Sequence, residues 1–294
     1  MTKSHVRTPR DRSKDDRPVT TDVTSRVGEG GRGRRTEIPG PVLLKDLAGN
    51  AWRLYRSSPR SLIAIFFISA IVQFGVVSAA VAALSTVEVP SGTIALFAYL
   101  GIFIGIPALL YGFAVAAAAI FLADKLAGRD TRTLDALRAA GSRTGAILAA
   151  GAFAAVFASF SLFIVGPELG QFITLPFLIG PPIVIQVIVL ENKGLGRGWE
   201  RAKALLKGEW TRIPLYLLTI ALGLGLLDFL VVGAVLSAFH GADSVGSRIA
   251  IAAAELVGAS LTLPYIAAAG LVGYFDLRAR KEKFDKQALV AERK

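Results

Sequence analysis

The sequence predicts an all-α fold: a polytopic membrane protein with six transmembrane helices, arranged as three helical-hairpin repeats with interfacial amphipathic helices. Three observations predict it. Hydrophobic residues make up 53% of the 294-residue chain and mean hydropathy is +0.55, above the roughly 45–50% apolar content of soluble domains. Apolar runs recur at 62–84, 94–123, 145–165, 172–190, 213–239 and 249–275, most of them near the roughly 20 residues a helix needs to cross a bilayer. Basic residues fall on alternate sides of these runs. Of 33 lysines and arginines, only Arg248 lies in the connections 85–93, 166–171 and 240–248, so the positive-inside rule puts both termini in the cytoplasm of a plasma (inner) membrane protein.

Taken in order, residues 1–40 carry ten basic and six acidic side chains with almost no aliphatic content. Such a segment cannot bury enough surface to fold and is read as a disordered basic cytoplasmic tail. Its Gly- and Arg-rich stretch at 28–35 reads as a solvated linker, against a contact with anionic lipid or RNA, and no specific nucleic acid is expected. The net charge of +11 has its explanation in topology instead. Because the polar segment before the first run is far longer than the basic start of a cleaved leader, residues 62–84 read as a retained span.

A helix precedes that span, with Leu44, Leu47, Ala48, Ala51 and Tyr55 on one face and Lys45, Asp46, Asn50, Arg53 and Arg56 on the rest. A second such helix covers 196–213. There Trp199, Ala202, Leu206, Trp210 and Ile213 share a face while Arg197, Arg201, Lys203 and Lys207 occupy the remainder. Both patterns describe helices lying in the membrane plane. Trp199, Trp210, Arg197, Arg201, Lys203 and Lys207 are the expected lipid-surface contacts, with anionic headgroups of the cytoplasmic face as the partner. A membrane-protein partner is left open. The tryptophans Trp52, Trp199 and Trp210 all fall in basic segments beside the spans, where an amphipathic ring suits the headgroup layer.

The even-numbered spans end alike. The second ends Phe-Leu-Ala-Asp-Lys-Leu-Ala-Gly-Arg, the fourth Leu-Glu-Asn-Lys-Gly-Leu-Gly-Arg and the sixth Tyr-Phe-Asp-Leu-Arg-Ala-Arg-Lys. Each places one acid, Asp124, Glu191 or Asp276, at the cytoplasmic helix end with a base within two residues. A basic segment then carries Asp-Ala-Leu, Lys-Ala-Leu or Gln-Ala-Leu at a similar offset. The repeat unit is therefore a helical hairpin plus a basic cytoplasmic helix. Pro107, Pro176, Pro181, Pro182 and Pro264 all fall in even-numbered spans, which predicts kinks or breaks there. The membrane domain is set at 41–286, and residues 287–294 are set apart as a cytoplasmic tail.

The proline-rich fourth span, its Glu-Asn-Lys-Gly exit, the Trp-Glu-Arg-Ala-Lys-Ala-Leu-Leu-Lys-Gly-Glu-Trp helix and the closing Tyr-Phe-Asp-Leu-Arg-Ala-Arg-Lys-Glu-Lys-Phe-Asp carry a resemblance. They resemble the prokaryotic membrane domain attached to some glycerophosphoryl diester phosphodiesterases, and its stand-alone relatives, over roughly residues 41–286. The resemblance implies a six-helix polytopic domain. In fused members catalysis belongs to a separate barrel; the given sequence has no segment long enough for one of roughly 250 residues, so that activity is not carried over.

Polar residues within spans are expensive and count as candidate sites. Gln73, Asp228 and Glu255 stand out. Counted at about 1.5 Å per residue, they sit roughly 17, 21 and 21 Å from the cytoplasmic side. Asp228 shares a face with Ala221 and Gly225, and Glu255 with Ala252 and Ala259, the small residues of helix contacts. Two readings stand: a proton or cation site, or structural polar contacts in which Arg248 pairs with Glu255 and Asp228 bonds Gln73. Cysteine is absent and only His5 and His240 supply imidazole, so thiolate chemistry is excluded and no metal or other cofactor is expected. Gly-Leu-Gly-Arg-Gly at 194–198 follows a span rather than a strand and is no phosphate loop. The expected function is a non-enzymatic, lipid- or protein-interacting membrane component. A small transporter or channel using Asp228 and Glu255 is the first alternative, and an intramembrane lipid-acting enzyme the second.

Overall fold

The computed structural model of the protein describes residues 44–86, 92, 101–152, 156, 182–209, 211–238 and 245–292. All regular structure among them is helical. The tail 1–40, the connections around 88, 168 and 243, Pro176, Pro181, Trp210 and the side chains of Asp228 and Glu255 lie outside the described residues.

The helices are α1 (Leu44–Ser57), α2 (Pro59–Ser85), α3 (Ile106–Leu126) and α4 (Thr133–Gly141). Next come α5 (144–152) and α6 (182–190), followed by α7 (Leu195–Leu206), α8 (Arg212–Ala238), α9 (Val245–Glu282) and α10 (Lys286–Glu292). Three stretches among the described residues are long and apolar enough to cross a membrane: Pro59–Leu84, Ile106–Leu126 and Leu256–Glu282. α8 adds a continuous 27-residue helix.

α3 is the centre. Every residue from Ala114 to Asp124 is buried. Its run of alanines, Ala116 to Ala119, lets neighbouring backbones approach on all sides, as small residues do between membrane helices. α5 comes closest: a Cβ built on Gly151 would stand 3.1 Å from the Leu109 Cα and 3.3 Å from the Ala108 carbonyl oxygen. α3 is entered through a π-helical turn, Gly101–Gly105, with Pro107 just inside the α-helix. Proline has no N–H to give to the preceding turn, so the register changes there at no cost in hydrogen bonds. At Pro107 the helix changes from π to α winding without an interruption of the helical backbone. Pro264 lies within the uninterrupted helix α9.

α9 is the longest element at 38 residues, which at 1.5 Å per residue is about 57 Å, beyond the roughly 30 Å of a hydrocarbon core. It packs against α1, α2, α3, α7 and α8. Residues 267–279 of α9 are buried throughout. The core is concentrated at one end of the helices: Leu62, Ile65 and Phe66 of α2, residues 182–189 of α6, and Ile213, Tyr216 and Leu217 of α8 are all buried beside the basic segments. Toward the other end Phe74, Leu226, Leu230, Val257 and Leu261 are exposed, apolar surface suited to lipid.

The apolar faces of the amphipathic helices pack into the protein. Leu47, Ala51 and Leu54 of α1 are buried in the protein core, and so are Ala202, Leu205 and Leu206 of α7. Periodicity identified Leu47 and Ala51 of α1 and Ala202 and Leu206 of α7, but the helix expected over 196–213 ends at Leu206, and Ile213 belongs to α8. Protein covers these faces, because α9 and its neighbours offer apolar surface at the same level. Residues 287–294, set apart as a tail, begin in helix α10, whose Leu289 is buried.

Candidate functional site

The three helix-end acids are the starting points of a polar layer at the basic end of the bundle. Asp124 closes α3. Its carboxylate accepts from the Thr131 hydroxyl at 3.0 Å, and its carbonyl accepts the Arg129 amide at 2.8 Å around Gly128, which holds a left-handed φ of +82°. The next residue reaches back to the start of the hairpin: Lys125 Nζ donates to the Ser57 carbonyl oxygen at 2.5 Å and to the Ser58 hydroxyl.

A second contact of this kind joins the start of α5 to the end of α6, with different chemistry. Arg143, just before α5, donates from Nη1 to the Ile188 carbonyl oxygen at 3.0 Å and to that of Val189. A cation there answers the negative end of the α6 dipole. Between α8 and α9, Arg212, the first residue of α8, donates from Nη1 to Asp276 Oδ2 at 2.7 Å, and Arg280 adds a contact at 3.1 Å. The Asp276 side chain is fully buried, and two guanidinium groups offset the loss of its hydration.

Glu191 ties the end of α6 to α7 and α9. It follows α6, and the left-handed Asn192 (φ 55°) turns the chain toward α7. Its carboxylate accepts from Lys193 at 2.8 Å, Arg201 at 2.9 Å and the Tyr274 hydroxyl at 3.0 Å. Burial pushes the Glu191 carboxyl up, but the Lys193 and Arg201 bonds, the Arg201 charge and the Tyr274 bond outweigh it and hold the group below the usual carboxylate range. Arg201 also pairs with Glu282. Burial alone would lower its pKa; the two carboxylates more than reverse that.

Arg278 completes the cluster, with only 7% of its side chain exposed. Its Nε donates to Glu282 at 2.9 Å, while Nη1 and Nη2 reach the two oxygens of Glu292 on α10 at 2.8 and 2.7 Å. The guanidinium lies over the Phe284 ring, 3.7 Å from its centroid. Lys193, Arg201 and Arg278 thus balance Glu191, Glu282 and Glu292.

Among the predicted site residues, Asp124, Glu191 and Asp276 fall in this layer, Asp124 near the end of α3, Glu191 just after α6 and Asp276 within α9. Gln73 is half-buried, on the stripe of α2 that also carries Leu62, Phe66 and Ser69. Trp199 packs against the core, and Arg201 is held in the Glu191 cluster. Arg197, Lys203 and Lys207 are exposed. The sequence reading passed over Gln186, which meets the same criterion as Gln73. It is fully buried, and in the amide orientation that satisfies both ends it donates to the Gly270 carbonyl oxygen at 3.0 Å and accepts the Leu271 amide at 2.9 Å. A Cβ on Gly270 would stand 2.8 Å from that amide, so glycine makes the clamp between α6 and α9 possible. Arg143, Tyr274, Arg278 and Glu292 were also missed. Only the Arg278–Glu282 spacing of four was visible in the chain.

Among the described residues no group of three or more histidine, cysteine or acidic side chains could hold a metal ion. No family model, no curated protein and no solved structure matches the chain.

Proposed function

We propose that this is a six-span integral membrane protein with both termini in the cytoplasm. In this reading it acts without catalysis, as a scaffold that presents a cationic surface to the anionic headgroups of its own membrane leaflet. The family is that of the phosphodiesterase-linked membrane domains and their stand-alone relatives. The observation that carries the reading is the arrangement of α7: its apolar face is locked in the core, while Arg197, Lys203 and Lys207 stay exposed on the other side. A helix that has used its apolar face for packing has only charge to offer a partner. Polybasic segments beside a spanning helix are attracted to anionic lipid by about 1 kcal/mol per residue, falling off within a Debye length.

The test uses the intact protein reconstituted with brominated lipids. Bromine quenches nearby tryptophan, and Trp199 lies on α7 itself. Brominated phosphatidylglycerol is expected to quench more than brominated phosphatidylcholine at low salt, and the excess to vanish at high salt and in the triple variant Arg197→Gln, Lys203→Gln, Lys207→Gln. Equal quenching by both lipids in the parent at low salt would remove the electrostatic reading.

A further inference from the structure

We propose that Arg278 is an anion-binding site for a phosphate group, filled in this structure by the protein's own Glu292 carboxylate, with α10 as the segment released when phosphate takes its place. This stands apart from the exposed α7 surface of Arg197, Lys203 and Lys207; Arg201 of the same helix enters here only as a member of the buried-side charge cluster.

The guanidinium is prepared on three sides. Phe284 lies beneath it, the Tyr274 hydroxyl sits 3.3 Å from Nη1, and Glu282 holds Nε. Its remaining edge, Nη1 with Nη2, presents the parallel pair of N–H groups that matches carboxylate and phosphate oxygens alike. Glu292 meets both nitrogens.

The holder of that carboxylate is weakly built. α10 has seven residues, too few to be stable alone in water. It is joined to α9 through residues 283–285, in which Lys283 holds a left-handed φ of 54°, and it buries the single large side chain Leu289. Glu292 is 40% exposed against 7% for Arg278, so the anion is reachable from solvent while the cation is fixed. Withdrawing Glu292 leaves three cations against two carboxylates in a partly buried cluster whose centre, Arg278, is buried, and an excess charge there favours another anion. A phosphate, with more charge and more oxygens than a carboxylate, meets that preference more fully.

The experiment uses the full chain, which has no cysteine to interfere. A spin label on Gln287→Cys, an exposed position of α10, reports release. Inorganic phosphate is titrated against chloride at matched ionic strength in detergent, and nanodiscs of phosphatidylcholine are compared with nanodiscs containing phosphatidic acid in phosphate-free buffer. Label mobility is expected to rise with phosphate and not with chloride. Glu292→Gln, which removes the internal competitor, is expected to bind phosphate about tenfold more tightly by calorimetry, the shift that follows from losing one charge-assisted pair. A response in detergent alone names free phosphate as the ligand, in nanodiscs alone a lipid headgroup, and both support the site. Equal release by chloride, no release in either setting, or unchanged phosphate affinity in Glu292→Gln overturns it. Lys203→Gln with Lys207→Gln is expected to leave the release unchanged, which separates this result from the fate of the α7 reading.

Discussion

Removing the Glu191 carboxylate would leave Lys193, Arg201 and the nearby Arg278 with one anion fewer. Glu191→Gln is therefore expected to destabilise the protein by about 3 kcal/mol, the scale for breaking a buried pair, read from denaturation of the purified protein. The pH dependence gives the sign. The folded state lowers the Glu191 pKa below its ordinary 4.5, so its contribution is present above that value and is lost as pH falls through the lowered one. The gap in stability between parent and Glu191→Gln should close on acidification through the carboxylate range, and a gap that widens there would refute the assignment. Tyr216 is the opposite case. Its hydroxyl is buried and has no hydrogen-bond partner among the described residues. Tyr216→Phe should leave stability unchanged or raise it by about 1 kcal/mol, because an unsatisfied polar group is removed without loss of packing. A clear loss of stability would mean that a lipid or water holds the hydroxyl.

Two glycines of α7, two residues apart, have opposite surroundings. A Cβ on Gly198 would stand 2.9 Å from Ile188 Cγ1, while one on Gly196 would meet nothing within 4 Å. Gly198→Ala is expected to cost about 1–3 kcal/mol by overpacking against α6. Gly196→Ala should instead stabilise by up to about 1 kcal/mol through helix propensity, and thermal unfolding of the pair separates local packing from backbone preference. At this scale the chain was legible where a pattern repeats along it. The faces of α1 and α7, the helix-end acids and the change of winding at Pro107 all leave a periodic or positional mark. What covers a face leaves none: the spacing of Leu47, Ala51 and Leu54 is the same whether lipid or α9 lies beyond it. Gln186 had a mark, a lone amide in an apolar run, and its partner is a backbone eighty-odd residues away that no local pattern names.

For the whole molecule, the one-sided placement of basic residues sets an expectation that cysteine labelling can check directly. In intact cells an impermeant maleimide should reach Glu88→Cys and Asp243→Cys but not Asp130→Cys or Glu200→Cys, and labelling at 130 or 200 would reverse the topology. The polar layer at the helix ends was half legible: Asp124, Glu191 and Asp276 recur in the chain, whereas Arg143 and Arg278 join them only through tertiary structure. The three closing contacts, Ser58 with Lys125, Arg143 with Ile188 and Arg212 with Asp276, span 67, 45 and 64 residues and do not interleave. The Tyr274 bond to Glu191, across 83 residues, is of another kind, joining the turn after α6 to α9. Because the three closing contacts follow one another along the chain without crossing, each fastens its own stretch of sequence, and cutting any one of them would open that stretch while leaving the other two closed.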